Sequence, residues 1–224
     1  PEPLVCRSLE DVEHPPQAGP KMTPHTVPFF QTLSALTGAG KTVILAAAVS
    51  QVASTMPVAP IVIWLSRGKV VVRQSFANLS DGGKYHDLLD NTRVIPLADF
   101  DPVGASDSST ALLCFATVGT FNQKDKEQGS LTIFQSDIDT TETSLWDALK
   151  LRANVDGVRR PLFVVYDEAH NLSDQQTELL LELEPDGFLL ASATMKLPAR
   201  LAREYEALKR AGWDDDRLVT QIDT

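Results

Sequence analysis

Apolar residues along the chain gather in blocks of two kinds. Short blocks, most of them continuous, are FFQTLSA (29–35), PIVIWLS (60–66), TRVIPL (92–97), ALLCFATV (111–118), PLFVVYDEAH (161–170) and GFLLASAT (187–194). Their length and β-branched or aromatic content predict strands. PIVIWLS lacks any alternation, the mark of a strand covered on both faces. Longer, Ala- and Leu-rich blocks stand between them: KTVILAAAVSQVAST (41–55), SLWDALKLR (144–152), SDQQTELLLEL (173–183) and PARLAREYEALKRAG (198–212). These predict helices. The first stops before Pro57, the second is capped by Ser144, the third by Ser173 or Asp174, and the last ends at Gly212. KVVVRQSFANL (69–79) fits either period, and its place after a strand predicts a helix. Buried strands alternating with helices predict an α/β domain, a mainly parallel sheet with helices on both faces. Ligands of such sheets sit at the carboxyl ends of the strands.

The intervening segments set the domain plan. Pro1, Pro3, Pro15, Pro16, Pro20 and Pro24 punctuate an irregular arm over residues 1–27, and a single lobe is expected over 28–224. ADFDPVGASDSST (98–110) reads as loop, and the polar, aperiodic 122–144 as an insertion. The 224 residues, 43% of them apolar, suffice for one large core. No stretch approaches the roughly 18 apolar residues of a membrane span, and the acidic, Pro-rich start is unlike a signal peptide. Cys114, inside an apolar run, reads as a buried free thiol, while Cys6 falls in the arm. An intracellular, cytoplasmic protein is the expectation. The formal charge of −10 excludes a broadly basic nucleic-acid binder, so any such contact must be local.

The chemistry concentrates after the first strand, in LTGAGKTVIL (36–45). Gly38 and Gly40 let the backbone approach an anion closely. With Thr37 and Ala39 they form a loop whose N–H groups, together with the start of the next helix, suit phosphate. Lys41 would reach the β- and γ-phosphates of a nucleotide, and the Thr42 hydroxyl would hold Mg²⁺. The full phosphate-loop pattern opens on Gly, where this chain has Ala35. A chance turn is the alternative, disfavoured by the strand before and the helix after. A second group, Asp167 and Glu168, ends an apolar strand. Adjacent carboxylates there can divide two tasks, Asp167 toward the metal and Glu168 toward an attacking water. Taken alone, they could equally cap a helix.

TGAGKT (37–42), DEAH (167–170) and SAT (192–194), in this order, resemble the first RecA-like motor domain of superfamily 2 DEAD/DEAH-box helicases and translocases. WLSRGKVVVRQ (64–74) and ATVGTFNQ (116–123) resemble the strand-end motifs with which such motors grip a nucleic-acid backbone. TFNQKD, YDEAHNL and the tail GWDDDRLVTQIDT are most similar to the restriction (Res) subunit of type III restriction enzymes. The resemblance covers roughly 29–195.

It implies MgATP bound by Lys41 and Thr42, a metal on Asp167, and water activated by Glu168. His170, Ser192 and Thr194 would relay nucleotide state to the DNA track. Ser66, Arg67, Lys69, Thr117 and Asn122 would touch phosphates of double-stranded DNA, although Arg67, Lys69 and Arg73 could equally form a solvated helix face. Adenine is often read by an upstream Gln in such motors; neither Gln17 nor Gln31 is assigned. A DNA-methyltransferase (modification) subunit is the implied partner. Motors of this family close ATP between two lobes, and the 30 residues after Thr194 are too few for the second, or for a nuclease domain. The chain is therefore expected to be a fragment that hydrolyses ATP very slowly. Other superfamily 2 or type I-like motors, and a non-enzymatic nucleotide switch or adaptor, are the alternative readings. Asp214, Asp215 and Asp216 read as a solvated loop, and His14, His25 and His86 show no ligand spacing.

Overall fold

The computed structural model of the protein describes residues 28–36, 38–101, 103–122, 144–152, 156–214 and 218–222. The expected arm at 1–27, Cys6, Gln17, Thr37, most of the expected insertion, Asp215 and Asp216 lie outside them. Seven strands form one sheet: β1 (Phe29–Ala35), β2 (Ile61–Ser66), β3 (Thr92–Pro96), β4 (Ala111–Thr117), β5 (Leu162–Asp167), β6 (Gly187–Ser192) and β7 (Val219–Ile222). Their order is β3-β4-β2-β5-β6-β1-β7, and every pairing is parallel. Among the described residues, five helices pack on it: α1 (Lys41–Thr55), α2 (Lys69–Leu79), α3 (Leu145–Leu151), α4 (Asp174–Glu182) and α5 (Ala199–Arg210).

Strand side chains alternate between two apolar layers. Val62, Trp64, Phe163, Val165, Leu189 and Ala191 meet Leu45, Val49 and Val52 of α1 and Leu79 of α2. Ile61, Ile63, Leu65, Leu162, Val164 and Phe188 meet Trp146 and Leu149 of α3, Leu179 and Leu180 of α4, and Leu201 and Leu208 of α5. β2, β5 and β6 are buried at every position, because helices cover both faces. Each fully buried Leu, Ile or Phe contributes about 1.5–3 kcal/mol, so these central strands are the firmest part of the sheet. α4 begins with a capping box, Ser173 and Gln176 each accepting or donating across the first turn.

Two features add to what the sequence predicts. The tail holds β7, which pairs with β1 from Thr32↔Val219 to Ala35↔Ile222. A four-residue strand beside an acidic run carries almost no period of its own; its stability comes from the partner. The 98–110 loop contains two short 3₁₀ turns, Leu97–Asp99 and Gly104–Ser106. Asp214 is exposed, as a solvated residue should be, and Cys114 is a buried free thiol. Burial pushes that thiol up to about 12.

Candidate functional site

The strand order sets the site. β5, β6 and β1 are neighbours, and their carboxyl ends deliver Asp167, Ser192 and Ala35 side by side, with Asp167 paired to Ala191 and Ser34 to Ser192. Ala35 at the glycine loop and the acids that end β5, far apart in sequence, therefore face one crevice.

The loop after β1 turns through Gly38 (φ 86°) and Gly40 (φ 79°), both left-handed. No Cβ would clash there, yet an L-residue would be strained. Gly40 lies at the cap of α1 with no side-chain partner for the helix's first N–H groups, which leaves the positive helix end pointing at the loop. Lys41 is buried at the first helical position. Its Nζ donates to the carbonyls of Ala35 (3.3 Å) and Leu36 (3.2 Å) and stands 3.7 Å from Glu168 Oε1. Thr42 is half-buried on the same turn.

Asp167 closes β5, is only 6% exposed, and its Oδ1 is buried without a hydrogen-bond partner among the described residues. Burial first, and the Glu168 charge second, raise its carboxyl above the ordinary 3.8, against Lys41 and a backbone N–H that lower it. A desolvated, unsatisfied carboxylate oxygen is costly, and it suits a cation. Glu168 leaves the strand in the left-handed region (φ 65°, ψ 48°), a conformation uncommon for a non-glycine residue. That turn swings its carboxylate between Lys41 and His170, whose Nδ1 is 3.4 Å from Oε2.

His170 joins β5 to β6. Its Nδ1 lies 2.8 Å from the Oγ of fully buried Ser192, which in turn donates to the Thr194 carbonyl and accepts from the Thr194 N–H. Three expected coupling residues are thus in direct sequence along one hydrogen-bonded path. The five expected backbone-contact residues sit at the next strand ends. Ser66 and Thr117 are paired across β2 and β4, Ser66 buried and Thr117 half-buried. Arg67, Lys69, Arg73 and Asn122 are exposed. Arg67 does more than wave in solvent: its Nη1 donates to Asn171 Oδ1 at 3.0 Å. Gln31, unassigned from sequence, lies within β1 and donates to Thr220 of β7.

Asn171 is the residue that sequence reasoning passed over. It bonds both Arg67 and His170. A polar side chain directly after an acid-ended buried strand was the available signal. Tyr166 was also missed: its hydroxyl is buried without a partner among the described residues, and burial pushes it up to about 12.

Comparison with curated proteins finds no match. The family described as type III restriction enzyme, res subunit, has a model that matches residues 29–197. With the all-parallel sheet and its glycine loop, that match places the chain in this family, as a RecA-type motor domain of the superfamily 2 helicase-like ATPases.

Proposed function

We propose that the carboxyl end of this sheet binds and hydrolyses MgATP, and that the lobe drives movement on double-stranded DNA as part of a type III-like restriction subunit. The observation that carries the reading is the convergence of Lys41, Asp167 and Glu168. A buried ammonium lies 3.7 Å from Glu168 Oε1, beside a buried Asp167 oxygen that no group among the described residues satisfies. The residues fit a magnesium nucleotide. Gly38, Ala39, Gly40 and, by sequence, Thr37 would offer backbone N–H groups to phosphate; Thr42 and Asp167 would hold the metal. Mg²⁺, when bound, neutralises phosphate charge. Lys41 would exchange its two carbonyl acceptors for phosphate oxygens. Glu168, held by its left-handed backbone, would orient a water and accept its proton.

Ser66, Arg67, Lys69, Thr117 and Asn122 line strand ends on the β4–β2 side of the same edge. They form the proposed backbone contact, and with a net charge of −10 such contact must be confined to that strip. A modification methyltransferase as partner, and nuclease activity elsewhere in the assembly, follow from the family alone. A second lobe would supply an arginine finger, worth about 10³–10⁵ in rate, so slow turnover is expected of this chain by itself. A nucleotide switch without turnover is the weaker reading, because it has no use for a carboxylate at Glu168.

The test is ATP turnover with and without duplex DNA, on the chain and on Glu168→Gln. The expected result is slow turnover reduced by about 10²–10⁴ in the variant, with MgATP binding retained. Equal turnover in both proteins would remove Glu168 from the chemistry and favour the switch.

A further inference from the structure

Resting on that reading, we infer that Asn171 is a positioning residue: oriented by Arg67, it sets which nitrogen of His170 carries the proton, and through His170 it holds Glu168 in place. The direction of every hydrogen bond along the path follows from its first member. A guanidinium can only donate, so the atom of Asn171 that faces Arg67 Nη1 at 3.0 Å must be the amide oxygen. The amide nitrogen then faces His170 Nε2 at 3.0 Å and donates to it. Nε2 is thereby the acceptor, and the proton of the neutral ring sits on Nδ1.

The far side of the ring agrees independently. Ser192 Oγ has one proton and two lone pairs. The proton goes to the Thr194 carbonyl (3.1 Å), one lone pair takes the Thr194 N–H (3.2 Å), and the other takes Nδ1–H at 2.8 Å. Both ends of the chain therefore specify one tautomer. In it, the Nδ1–H bonded to Ser192 keeps its positive end near Glu168 Oε2, 3.4 Å from Nδ1; the other tautomer would place a lone pair there and repel the carboxylate.

Arg67 is exposed and lies on the proposed backbone-contact strip. An arginine drawn onto a nucleic-acid phosphate would loosen its hold on Asn171 and free the amide to turn over. Occupancy of the track would then be reported, through one amide, to the carboxylate that orients water.

The test is the tautomer of His170, read from ring ¹⁵N shifts and two-bond couplings on the chain without nucleotide. It is done at about pH 8, well above the ordinary His range, and His170→Gln identifies the signals. The wild type should show the Nδ1–H form. Asn171→Asp keeps an oxygen for Arg67 but offers His170 only an acceptor, so the proton should move to Nε2. Arg67→Ala should give a mixture. Asn171 is half-buried and Arg67 exposed, so the fold should survive both changes. In turnover, Asn171→Asp should lower kcat with KM unchanged.

An Nε2–H wild type, or a tautomer indifferent to Asn171→Asp, would overturn the inference. So would a tautomer that moves while kcat does not. If the tautomers behave as expected but the wild type neither binds nor hydrolyses MgATP, the functional reading fails instead.

Discussion

The two ends of the sheet treat buried polar groups in opposite ways. At the amino end lies Arg160, fully buried, donating to the carbonyls of Ala59, Pro60, Ala105, Asp107 and Thr110, which lead into β2 and β4. Arg152, 3% exposed, does the same for Leu149, Lys150, Arg160, Leu183 and Glu184. Asp186 accepts the Leu162 N–H at the start of β5. At the carboxyl end, Asp167 Oδ1 and the Tyr166 hydroxyl are buried without partners among the described residues. The third such atom, the Trp64 indole N–H, lies mid-strand and marks neither end.

Both ends bury charge, so charge burial does not identify the working end. Satisfaction does. Two arginines whose hydrogen bonds are met by carbonyls tie strand starts together. A carboxylate left short of partners carries a standing cost that makes sense where a ligand is expected.

The largest effect that would break this contrast is at Arg160. Arg160→Met keeps bulk but removes a donor shared by five carbonyls, and should destabilise by about 3–5 kcal/mol in urea unfolding, since each buried acceptor left unpaired costs about 1–3 kcal/mol. A loss under about 1 kcal/mol would mean the amino end is not held this way.

A smaller effect of opposite sign is expected at Asp167. Its folded carboxyl is raised above 3.8, so the folded state favours the protonated form. Wild-type stability from this group is therefore highest below 3.8 and falls as pH rises through the folded value. Asp167→Asn removes the penalty: it should stabilise the fold by about 1 kcal/mol at neutral pH, with the gain shrinking as pH falls toward 3.8. Mg-dependent nucleotide binding should be lost at the same time. Destabilisation at neutral pH would show that the carboxylate serves the fold.

The smallest is Tyr166→Phe, which deletes an unpartnered hydroxyl. Neutral to slightly positive change in thermal stability, within about 1 kcal/mol, would fit; a clear loss would mean the hydroxyl has a structural role after all.

This contrast also explains what could be read from sequence. α1 lies where its Ala-rich pattern predicts it, whereas α2, whose pattern fits either period, was legible only from its place after a strand. The glycine loop and Asp167-Glu168 were legible because both are local signals at strand ends. Arg152 and Arg160 were not. In RANVDGVRRPL (152–162) they look like solvated charge, and only the fold gathers distant carbonyls around them. Asn171 was hidden for the same reason: its meaning depends on Arg67, 104 residues away. β7 was missed because Val219–Ile222 is short, and its ordering comes from β1.

The central claim, that the carboxyl end is a magnesium nucleotide site, is tested most directly by calorimetric titration of MgATP into the chain and into Lys41→Ala. The account expects Mg-dependent binding by the wild type, weakened at least about tenfold in the variant, a difference of about 1.4 kcal/mol, with unfolding of the two proteins nearly superimposable. Equal affinity in both, or no binding by a folded wild type, would contradict it.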